Sequence, residues 1–302
     1  MLYWRQKVLM ILLSRMPQKK STKIQLVKLM FLLKQEGITR HGSFYDFLPY
    51  KYGPFSFSLY KELGELERLS CLKSSFNDYH LQENTNVKEF GQMLKEKVVN
   101  LIEAVVQTYG SLSSEKLVQF VYEKYPWFAS RSERKNSCSD SFLKKKENPK
   151  SIYAMGYEGL SIDEFLNVLL REEIQTVLDT RNNPISRKYG FSKSALKKKC
   201  QDVGLQYLHF PEVGIPSNIR VHNKERQSLW KIYQEQILPE NEMVLGQLSK
   251  IICQEKAVLI CFEEHFEDCH RHLLAQELST KINLPIFHYD HKEELWLNES
   301  RF

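Results

Sequence analysis

The sequence predicts an α/β protein of two domains, in which an all-helical, winged-helix-like domain precedes a domain with a mostly parallel sheet. The chain has 302 residues, which is enough for two separate hydrophobic cores. Its first part carries apolar residues at helical spacing. After residue 150, short apolar runs alternate with amphipathic stretches, as is typical of parallel strands covered by helices on both faces. We therefore expect domains at 1–129 and 151–302, joined by a basic linker at 130–150.

The composition is that of an ordinary globular protein. Hydrophobic residues make up 42% of the chain and charged residues of both signs 26%, which argues against gross disorder. No apolar run is long enough to cross a bilayer, and the N-terminal residues lack the cleavage site of a signal peptide. The six cysteines form no C-x-x-C pair, so we expect reduced thiols and a cytoplasmic location. A net charge of +6 is too mild to indicate a nucleic-acid partner by itself.

The N-terminal domain is expected to consist of helices around a tight aromatic loop. The stretch TKIQLVKLMFLLKQEG predicts a helix that is capped by Thr22 and ended by Gly37. Aromatic residues around Gly53 and Pro54 predict a loop before the next amphipathic helix. This order is typical of a winged-helix or helix-turn-helix module, and a small helical core without a ligand is the alternative.

A family resemblance supports the winged-helix interpretation. The segments KIQLVKLMFLL and YKYGPFSFSLYKELGELE resemble the winged-helix-type module of socA-like antitoxins. In that group a Lys-Leu-Gln-Lys-Leu helix is followed by Tyr-Gly-Pro, which stands here at Tyr52, Gly53 and Pro54. Because such modules also bind proteins, the resemblance implies either DNA or a protein as the partner of residues 1–129.

Alternation of strands and helices is expected throughout the C-terminal domain. Apolar runs predict strands within the ranges 151–159, 175–181, 205–214, 256–264 and 284–290. Amphipathic or capped stretches predict helices at 161–174, 192–204, 224–253 and 269–282. The strand order and the oligomeric state stay open.

Ionisable residues follow several of these strands. Ligands of open parallel sheets bind beyond the carboxyl ends of the strands, so these residues predict a cleft. Glu158 lies between two glycines, where a carboxylate can accept a proton close to a ligand, although a tight turn would also explain the glycines. Asp179 follows the second strand directly, and catalysis and a structural ion pair with Arg181 are both consistent with that position.

The loop after Asp179 is cationic and contains aromatic residues. Arg187 and Lys193 are suited to phosphate contact, and Tyr189 or Phe191 to stacking on a base. The alternative is a surface loop whose aromatic rings fold back onto the sheet. We expect phosphate or nucleic-acid contact.

The stretch from Cys261 to Arg271 allows three kinds of site. Its Cys-x3-His-x3-Cys spacing matches no common zinc motif, and adjacent Cys and His side chains rarely bind one ion, so no metal is expected. Cys269 could be a thiol nucleophile, because a helix start and Arg271 both lower the pKa of a thiol. Anion binding by free helix amides and Arg271 needs the fewest assumptions and is favoured.

Residues 151–290 resemble the family catalogued as domain of unknown function 488. The segments IYAMGYEG, DTRNNPISRKYGFSK and CFEEHFEDCHR carry its hallmarks, while Met155 and Val213 depart from its pattern at non-ionisable positions. The resemblance implies a Rossmann-like sheet and brings no settled reaction. It also implies a site formed by Glu158, Asp179, Arg181, Ser186, Arg187, Lys193, Cys269, His270 and Arg271.

Together these observations favour an enzyme that binds and processes DNA. We expect cleavage of the N-glycosidic bond of modified or damaged bases, in repair or in defence against foreign DNA, without a cofactor. A nuclease that needs Mg²⁺, and a non-catalytic nucleotide- or DNA-binding regulator of toxin–antitoxin type, are the alternatives. The expected catalytic residues are Glu158, Asp179, Cys269 and His270. The expected phosphate contacts are Arg181, Ser186, Arg187, Lys193 and Arg271. The expected base-stacking residues are Tyr157, Tyr189 and Phe191.

Overall fold

The computed structural model describes residues 2–134, 150–222 and 225–299. Its chain divides into two compact units between residues 145 and 146. Most of the predicted basic linker lies outside the described residues. The described residues 130–134 belong to the first unit, where the Glu133 amide donates a 2.9 Å hydrogen bond to the carbonyl of Lys51. None of the helices within the described ranges combines the length and the apolar character needed to cross a bilayer.

The N-terminal unit is mainly helical. Its helices are α1 (Trp4–Arg15), α2 (Lys23–Gln35), α3 (Phe57–Arg68), α4 (Val87–Met93), α5 (Glu96–Tyr109), α6 (Ser114–Lys124) and α7 (Pro126–Ala129). Helix α2 is central, because every residue from Leu26 to Leu33 is buried. A helix that is apolar on nearly all sides must be surrounded by other elements. The predicted cap is present, since the Thr22 hydroxyl accepts a 3.0 Å hydrogen bond from the Gln25 amide.

Two small antiparallel sheets accompany the predicted helices of the N-terminal unit. Strands β1 (Lys20–Thr22), β4 (Leu72–Ser74) and β5 (Asp78–Leu81) form one sheet in the order β1-β5-β4. Strands β2 (Leu48–Tyr50) and β3 (Gly53–Phe55) form a hairpin. Each strand has only three or four residues, which is too short to show an alternating pattern in the sequence.

The C-terminal unit has the predicted mixed α/β fold. Its strands are β6 (Ile152–Gly156), β7 (Thr176–Asp179), β8 (Gln206–His209), β9 (Ala257–Cys261), β10 (Ile286–Asp290) and β11 (Leu295–Asn298). They form one sheet in the order β11-β10-β6-β9-β7-β8, and only the β10–β11 pair is antiparallel. The mostly parallel sheet is therefore confirmed, and β11 is an addition that the sequence did not predict.

Helices connect the parallel strands. They are α8 (Ile162–Arg171), α9 (Lys193–Asp202), α10 (Ser217–His222), α11 (Arg226–Ile232), α12 (Leu238–Glu240), α13 (Glu242–Gln254) and α14 (Arg271–Ile282). A π-helical turn at Tyr233–Ile237 and a break at Asn241 divide the stretch that was expected to be one helix from 224 to 253. Pro239 lies in this interruption, and a proline inside a helix removes a backbone hydrogen bond.

The strand register places the predicted site residues along one edge of the sheet, the edge formed by the carboxyl ends of neighbouring strands. Gly156 pairs with Cys261, and Asp179 pairs with Ile260 on one side and His209 on the other. The strands β6, β9, β7 and β8 therefore end level with one another. Their carboxyl ends are the place where parallel sheets bind ligands.

Candidate functional site

Asp179 is held inside the unit by three donors. The Arg181 guanidinium donates to both carboxylate oxygens, at 2.8 Å to Oδ1 and 2.5 Å to Oδ2, and the Tyr207 hydroxyl donates to Oδ2 at 2.6 Å. The Asp179 side chain is 0% exposed. Burial raises the pKa of Tyr207, and the neighbouring charge of Asp179 raises it further. Asp179 therefore belongs to a buried ion pair with Arg181, the structural alternative for this position, and its catalytic role stays a prediction.

The opposite side of Arg181 holds two aromatic rings in place. Its Nη1 donates to the Tyr157 hydroxyl at 2.6 Å and to the Phe191 carbonyl at 2.9 Å. The two rings stack on each other with centroids 4.1 Å apart and an angle of 9° between their planes. Both are buried, so neither ring offers a face to a base. The structure uses these three side chains within the protein, and base stacking by Tyr157 and Phe191 and phosphate binding by Arg181 stay predictions.

A buried cluster of two thiols and an imidazole lies beside this network. Nδ1 of His270 is 3.9 Å from Sγ of Cys261 and 3.8 Å from Sγ of Cys269. The three possible ligand atoms lie within 4.8 Å of one another. Nε2 of His270 is 3.3 Å from the carbonyl oxygen of Thr180. All three side chains are buried, so Cys269 and His270 face each other and Cys261 rather than an open cleft.

The two thiols differ in acidity. A hydrogen bond with Cys269 and burial raise the pKa of Cys261 well above its ordinary value. Burial alone would raise the pKa of Cys269, but the hydrogen bond from Cys261 and the positive charge of Arg271 outweigh it and hold that pKa well below its ordinary value. Cys269 is therefore the more acidic of the two thiols, and the thiol of Cys261 donates a 3.1 Å hydrogen bond to Oε2 of Glu263.

Arg271 fixes the loop that follows β9. Its Nη1 donates to the carbonyl of Glu263 at 2.5 Å, and its Nη2 to the carbonyl of Glu264 at 2.8 Å. Gly156 is required at this point, because a β-carbon there would overlap the Glu263 carbonyl. Arg271 is 1% exposed and donates to backbone carbonyls, and phosphate binding by Arg271 stays a prediction.

Other predicted residues lie on the surface at the same edge. Glu158 is exposed, and its Oε2 accepts a 3.2 Å hydrogen bond from the Glu264 amide. Nζ of Lys188 donates to the Tyr157 carbonyl at 2.9 Å. Arg187 and Lys193 are exposed, while Ser186 is partly buried and accepts a 3.2 Å hydrogen bond from the Lys188 amide.

Tyr189 is the predicted stacking residue that remains at the surface. It is 37% exposed, and Nζ of Lys199 lies 4.8 Å from the centre of its ring. Base stacking at Tyr189 stays a prediction.

A groove of about 390 Å³ lies next to these residues, and sequence reasoning missed it. It is lined by Glu264, His265, Phe266, Glu267, Asp268, His288, Tyr289, Asp290, His291, Lys292 and Leu297. Among the described residues, none of those predicted to form the site lines it. Four carboxylates in its lining make it unsuited to a phosphate. The motif HYDH at the end of the last predicted strand could have indicated this groove, because it places two histidines and an aspartate within four residues.

In the N-terminal unit, Lys28 joins the two parts of the socA-like motif. Its Nζ donates to the carbonyls of Tyr52, at 2.5 Å, and Pro54, at 3.3 Å. Burial, and to a smaller extent the charge of Arg134, lowers the pKa of Lys28 to about 7. A β-carbon on Gly53 would overlap Tyr122. The motif residues Lys28 and Gly53 are therefore needed to build the unit.

The comparisons with known proteins match both units. Residues 26–128 match the family model described as antitoxin SocA-like, Panacea domain. Residues 161–278 match the family model described as domain of unknown function DUF488. Both resemblances seen in the sequence are confirmed. The comparison with curated proteins gave no match, and the comparison with solved structures gave none either.

Proposed function

We propose that this chain, in which a SocA-like Panacea segment precedes a DUF488 segment, is a non-catalytic regulator of toxin–antitoxin type. Its C-terminal unit binds nucleic acid, and DNA is the form that we propose, through contacts to phosphates. The N-terminal unit binds the protein partner that an antitoxin requires. The function class rests on the antitoxin family match together with the structure of the C-terminal site.

The observation that carries this proposal is the enclosure of the residues that were expected to catalyse. Asp179 has both carboxylate oxygens occupied by protein donors. Cys269 and His270 are each 1% exposed. A catalytic group must come within hydrogen-bond distance of a substrate, directly or through one water molecule. Three of the four expected catalytic groups are enclosed in this way, which supports a non-catalytic role.

A basic surface supports the choice of a nucleic-acid ligand. Residues 182–201 contain no Asp or Glu, and their cations are Arg187, Lys188, Lys193, Lys197, Lys198 and Lys199. Arg187, Lys193 and Lys197 are exposed. Lys193 is the first residue of α9, whose amino end carries the positive end of the helix dipole. Phosphate contacts of this kind give affinity without sequence information.

Salt dependence tests the binding surface. The double variant Arg187→Ala, Lys193→Ala is expected to weaken DNA binding. It should also reduce, by about 2, the steepness with which the logarithm of the association constant falls with the logarithm of the salt concentration, since each lost phosphate contact removes about 0.9. Fluorescence anisotropy of a labelled duplex across a range of salt concentrations gives both quantities. The matched control is Lys231→Ala, Lys250→Ala, which removes two exposed lysines from other helices of the same unit. If both double variants lower the slope equally, binding does not use this surface.

A second candidate, a DNA glycosylase, is favoured by one observation. Glu158 is an exposed carboxylate at the carboxyl end of the central strand β6, and it lies close enough to Lys188 to raise the pKa of that lysine, against the larger lowering effect of burial. Such a carboxylate could activate water or stabilise a positively charged sugar.

The two functions make opposite predictions for Glu158→Gln. We expect the variant to bind DNA like the unchanged chain, and we expect neither protein to release bases. The assay incubates the chain with ordinary, damaged and modified DNA, with and without EDTA, and scores abasic sites and strand breaks separately. Abasic sites that disappear in Glu158→Gln would establish the glycosylase and refute a non-catalytic regulator. Strand breaks that need Mg²⁺ would indicate the nuclease.

A further inference from the structure

The cluster of Cys261, Cys269 and His270 has the composition and geometry of a metal site. Soft thiolate ligands together with imidazole favour zinc. In a tetrahedral zinc site with Zn–S at about 2.3 Å and Zn–N at about 2.0 Å, a sulfur and a nitrogen ligand lie about 3.5 Å apart. The two sulfur–nitrogen distances here are 3.9 and 3.8 Å. Small side-chain movements would therefore place both sulfurs and Nδ1 around one ion.

The orientation of His270 matches that of a metal ligand. Its Nε2 lies 3.3 Å from the carbonyl of Thr180, so Nε2 carries the proton and Nδ1 presents its lone pair to the two sulfurs. Histidines that bind metals commonly donate their second N–H to a backbone carbonyl in this way, which fixes both the tautomer and the ring. The Tyr233 ring lies against the imidazole at 5.3 Å and closes the cluster from another side.

The chain bends so that adjacent residues reach the same point. Cys261 is the last residue of β9 and approaches from the sheet. Cys269 is extended, with φ −131° and ψ 139°, whereas His270 is already helical, with φ −57° and ψ −19°. This change between neighbours directs Sγ of Cys269 and Nδ1 of His270 to one side. The sequence expectation of no metal assumed that adjacent Cys and His side chains rarely bind one ion. The histidine within the Cys-x3-His-x3-Cys spacing, His265, is exposed.

A carboxylate beside the three converging ligand atoms and the balance of charges also favour a metal ion. Oε2 of Glu263 lies 3.1 Å from Sγ of Cys261, and the Glu263 side chain is 23% exposed, so it closes the solvent side of the cluster. Two thiolates and a carboxylate carry three negative charges. A divalent cation and the guanidinium of Arg271, which interacts electrostatically with both thiols, supply three positive charges.

We propose that the C-terminal unit binds one Zn²⁺ ion through Cys261, Cys269 and His270. The carboxylate of Glu263 supplies the fourth ligand. The ion joins the end of β9 to the start of α14, and so holds the loop that carries Glu263 and Glu264 at the carboxyl edge of the sheet. Both sulfurs bind as thiolates, so zinc binding releases whatever protons the two cysteines still carry, and no other bond forms or breaks. The site is independent of the proposed regulatory function.

Metal analysis of the full chain tests the site. Protein purified from zinc-supplemented culture should contain about one zinc per chain, and the stripped protein should take up Co²⁺ with the near-ultraviolet absorption of thiolate-to-cobalt charge transfer. Cys261→Ser, Cys269→Ser and His270→Ala should each lose the stoichiometric ion. Glu263→Gln should keep the three cysteine and histidine ligands, lose the carboxylate ligand and bind zinc more weakly than the unchanged chain.

The matched controls are Cys200→Ser and Cys253→Ser, which change one buried and one partly buried cysteine of the same unit. Both should retain one zinc per chain. Circular dichroism identifies any variant that fails to fold. In that case, zinc binding by Glu263→Gln and by the unchanged chain in a series of chelators decides whether the site exists. The proposal is overturned if the stripped chain shows no cobalt charge-transfer band, or if Cys269→Ser keeps a full equivalent of zinc. A disulfide between Cys261 and Cys269 in the zinc-supplemented protein, detected by mass spectrometry, would overturn it as well.

Discussion

At the scale of single residues, the Asp179–Arg181 pair shows why a carboxylate at a strand end need not be catalytic. Removing one partner of a buried ion pair leaves an uncompensated charge in the interior. We expect Asp179→Asn to lower the free energy of unfolding by about 3–5 kcal/mol, because the buried guanidinium of Arg181 loses its counter-charge. Urea unfolding followed by circular dichroism measures the change.

The control for this substitution is Glu158→Gln, which alters an exposed carboxylate of the same unit. Substitutions at the surface usually change stability by no more than about 0.5 kcal/mol. If both variants lose similar stability, the buried pair is not the reason, and the structural assignment of Asp179 is wrong.

The buried amino group of Lys28 predicts that the stability of the N-terminal unit depends on pH. Its pKa falls from the ordinary value of 10.5 to about 7 in the folded chain. Between these pH values the unfolded chain binds a proton that the folded chain does not, so stability from this group rises with pH by about 1.4 kcal/mol per unit. Below pH 7 both states bind the proton, and the full penalty for burying the charge applies.

Lys28→Met should therefore abolish the rise in stability between pH 7 and pH 10. Native-state hydrogen exchange of the α2 amides, corrected for intrinsic exchange rates, reports this stability in the full chain. Lys20→Met, which changes an exposed lysine of the same unit, should leave the rise intact. An unchanged slope in Lys28→Met would assign the pH dependence to another group.

At the scale of elements, Gly156 lets β6 and the loop after β9 approach each other. We expect Gly156→Ala to lower stability by about 1–3 kcal/mol, because its methyl group would overlap the carbonyl of Glu263 and force the loop outward. Urea unfolding of the full chain measures the loss.

Gly246→Ala provides the opposite case. Gly246 lies inside α13, and apart from its chain neighbours and the backbone of its own helix, no described atom lies within 4 Å of the position that its β-carbon would occupy. Alanine should therefore stabilise this helix by about 0.5–1 kcal/mol through helix propensity alone. Destabilisation by both substitutions would mean that the effect at Gly156 is not caused by the overlap.

Elements with strong local signals could be predicted from the sequence. Ser161 was expected to cap α8, and its hydroxyl accepts a 3.0 Å hydrogen bond from the Glu164 amide. The strands β6, β7 and β9 are buried along their whole length, and each appears in the sequence as a continuous apolar run. Strand β11 has no buried residue, so it leaves no such pattern.

The candidate site was less predictable than the fold, because it depends on side-chain direction. The register of a parallel sheet predicts which residues end at the same edge, and Glu158, Asp179 and Cys261 do so. Whether a side chain at that edge faces solvent or the interior depends on packing partners that lie far away in the sequence. Tyr207, which helps to enclose Asp179, is 28 residues away.

At the scale of the whole molecule, each unit has its own hydrophobic core. The N-terminal core is centred on α1 and α2, and the C-terminal core on the sheet and α13. We expect a fragment ending at Arg134 and a fragment beginning at Lys150 to fold separately, each with cooperative thermal unfolding measured by circular dichroism.

A fragment beginning at Lys150 contains all the proposed zinc ligands and should bind zinc as the full chain does. Fragments that stay unfolded until they are mixed would show that the two cores depend on each other. A folded fragment without zinc, beside a full chain that contains zinc, would mean that the N-terminal unit contributes to the site.

The strand order also affects how the C-terminal unit folds while the chain is being made. Strand β6 leaves the ribosome first, yet both of its neighbours, β9 and β10, follow about a hundred or more residues later. At roughly 5–20 residues per second, this newly made strand waits about 5–20 s or longer for a partner. During that interval its two edges offer unpaired amides and carbonyls to other nascent chains, so the yield of soluble protein should depend on translation speed and on chaperones that bind early strands.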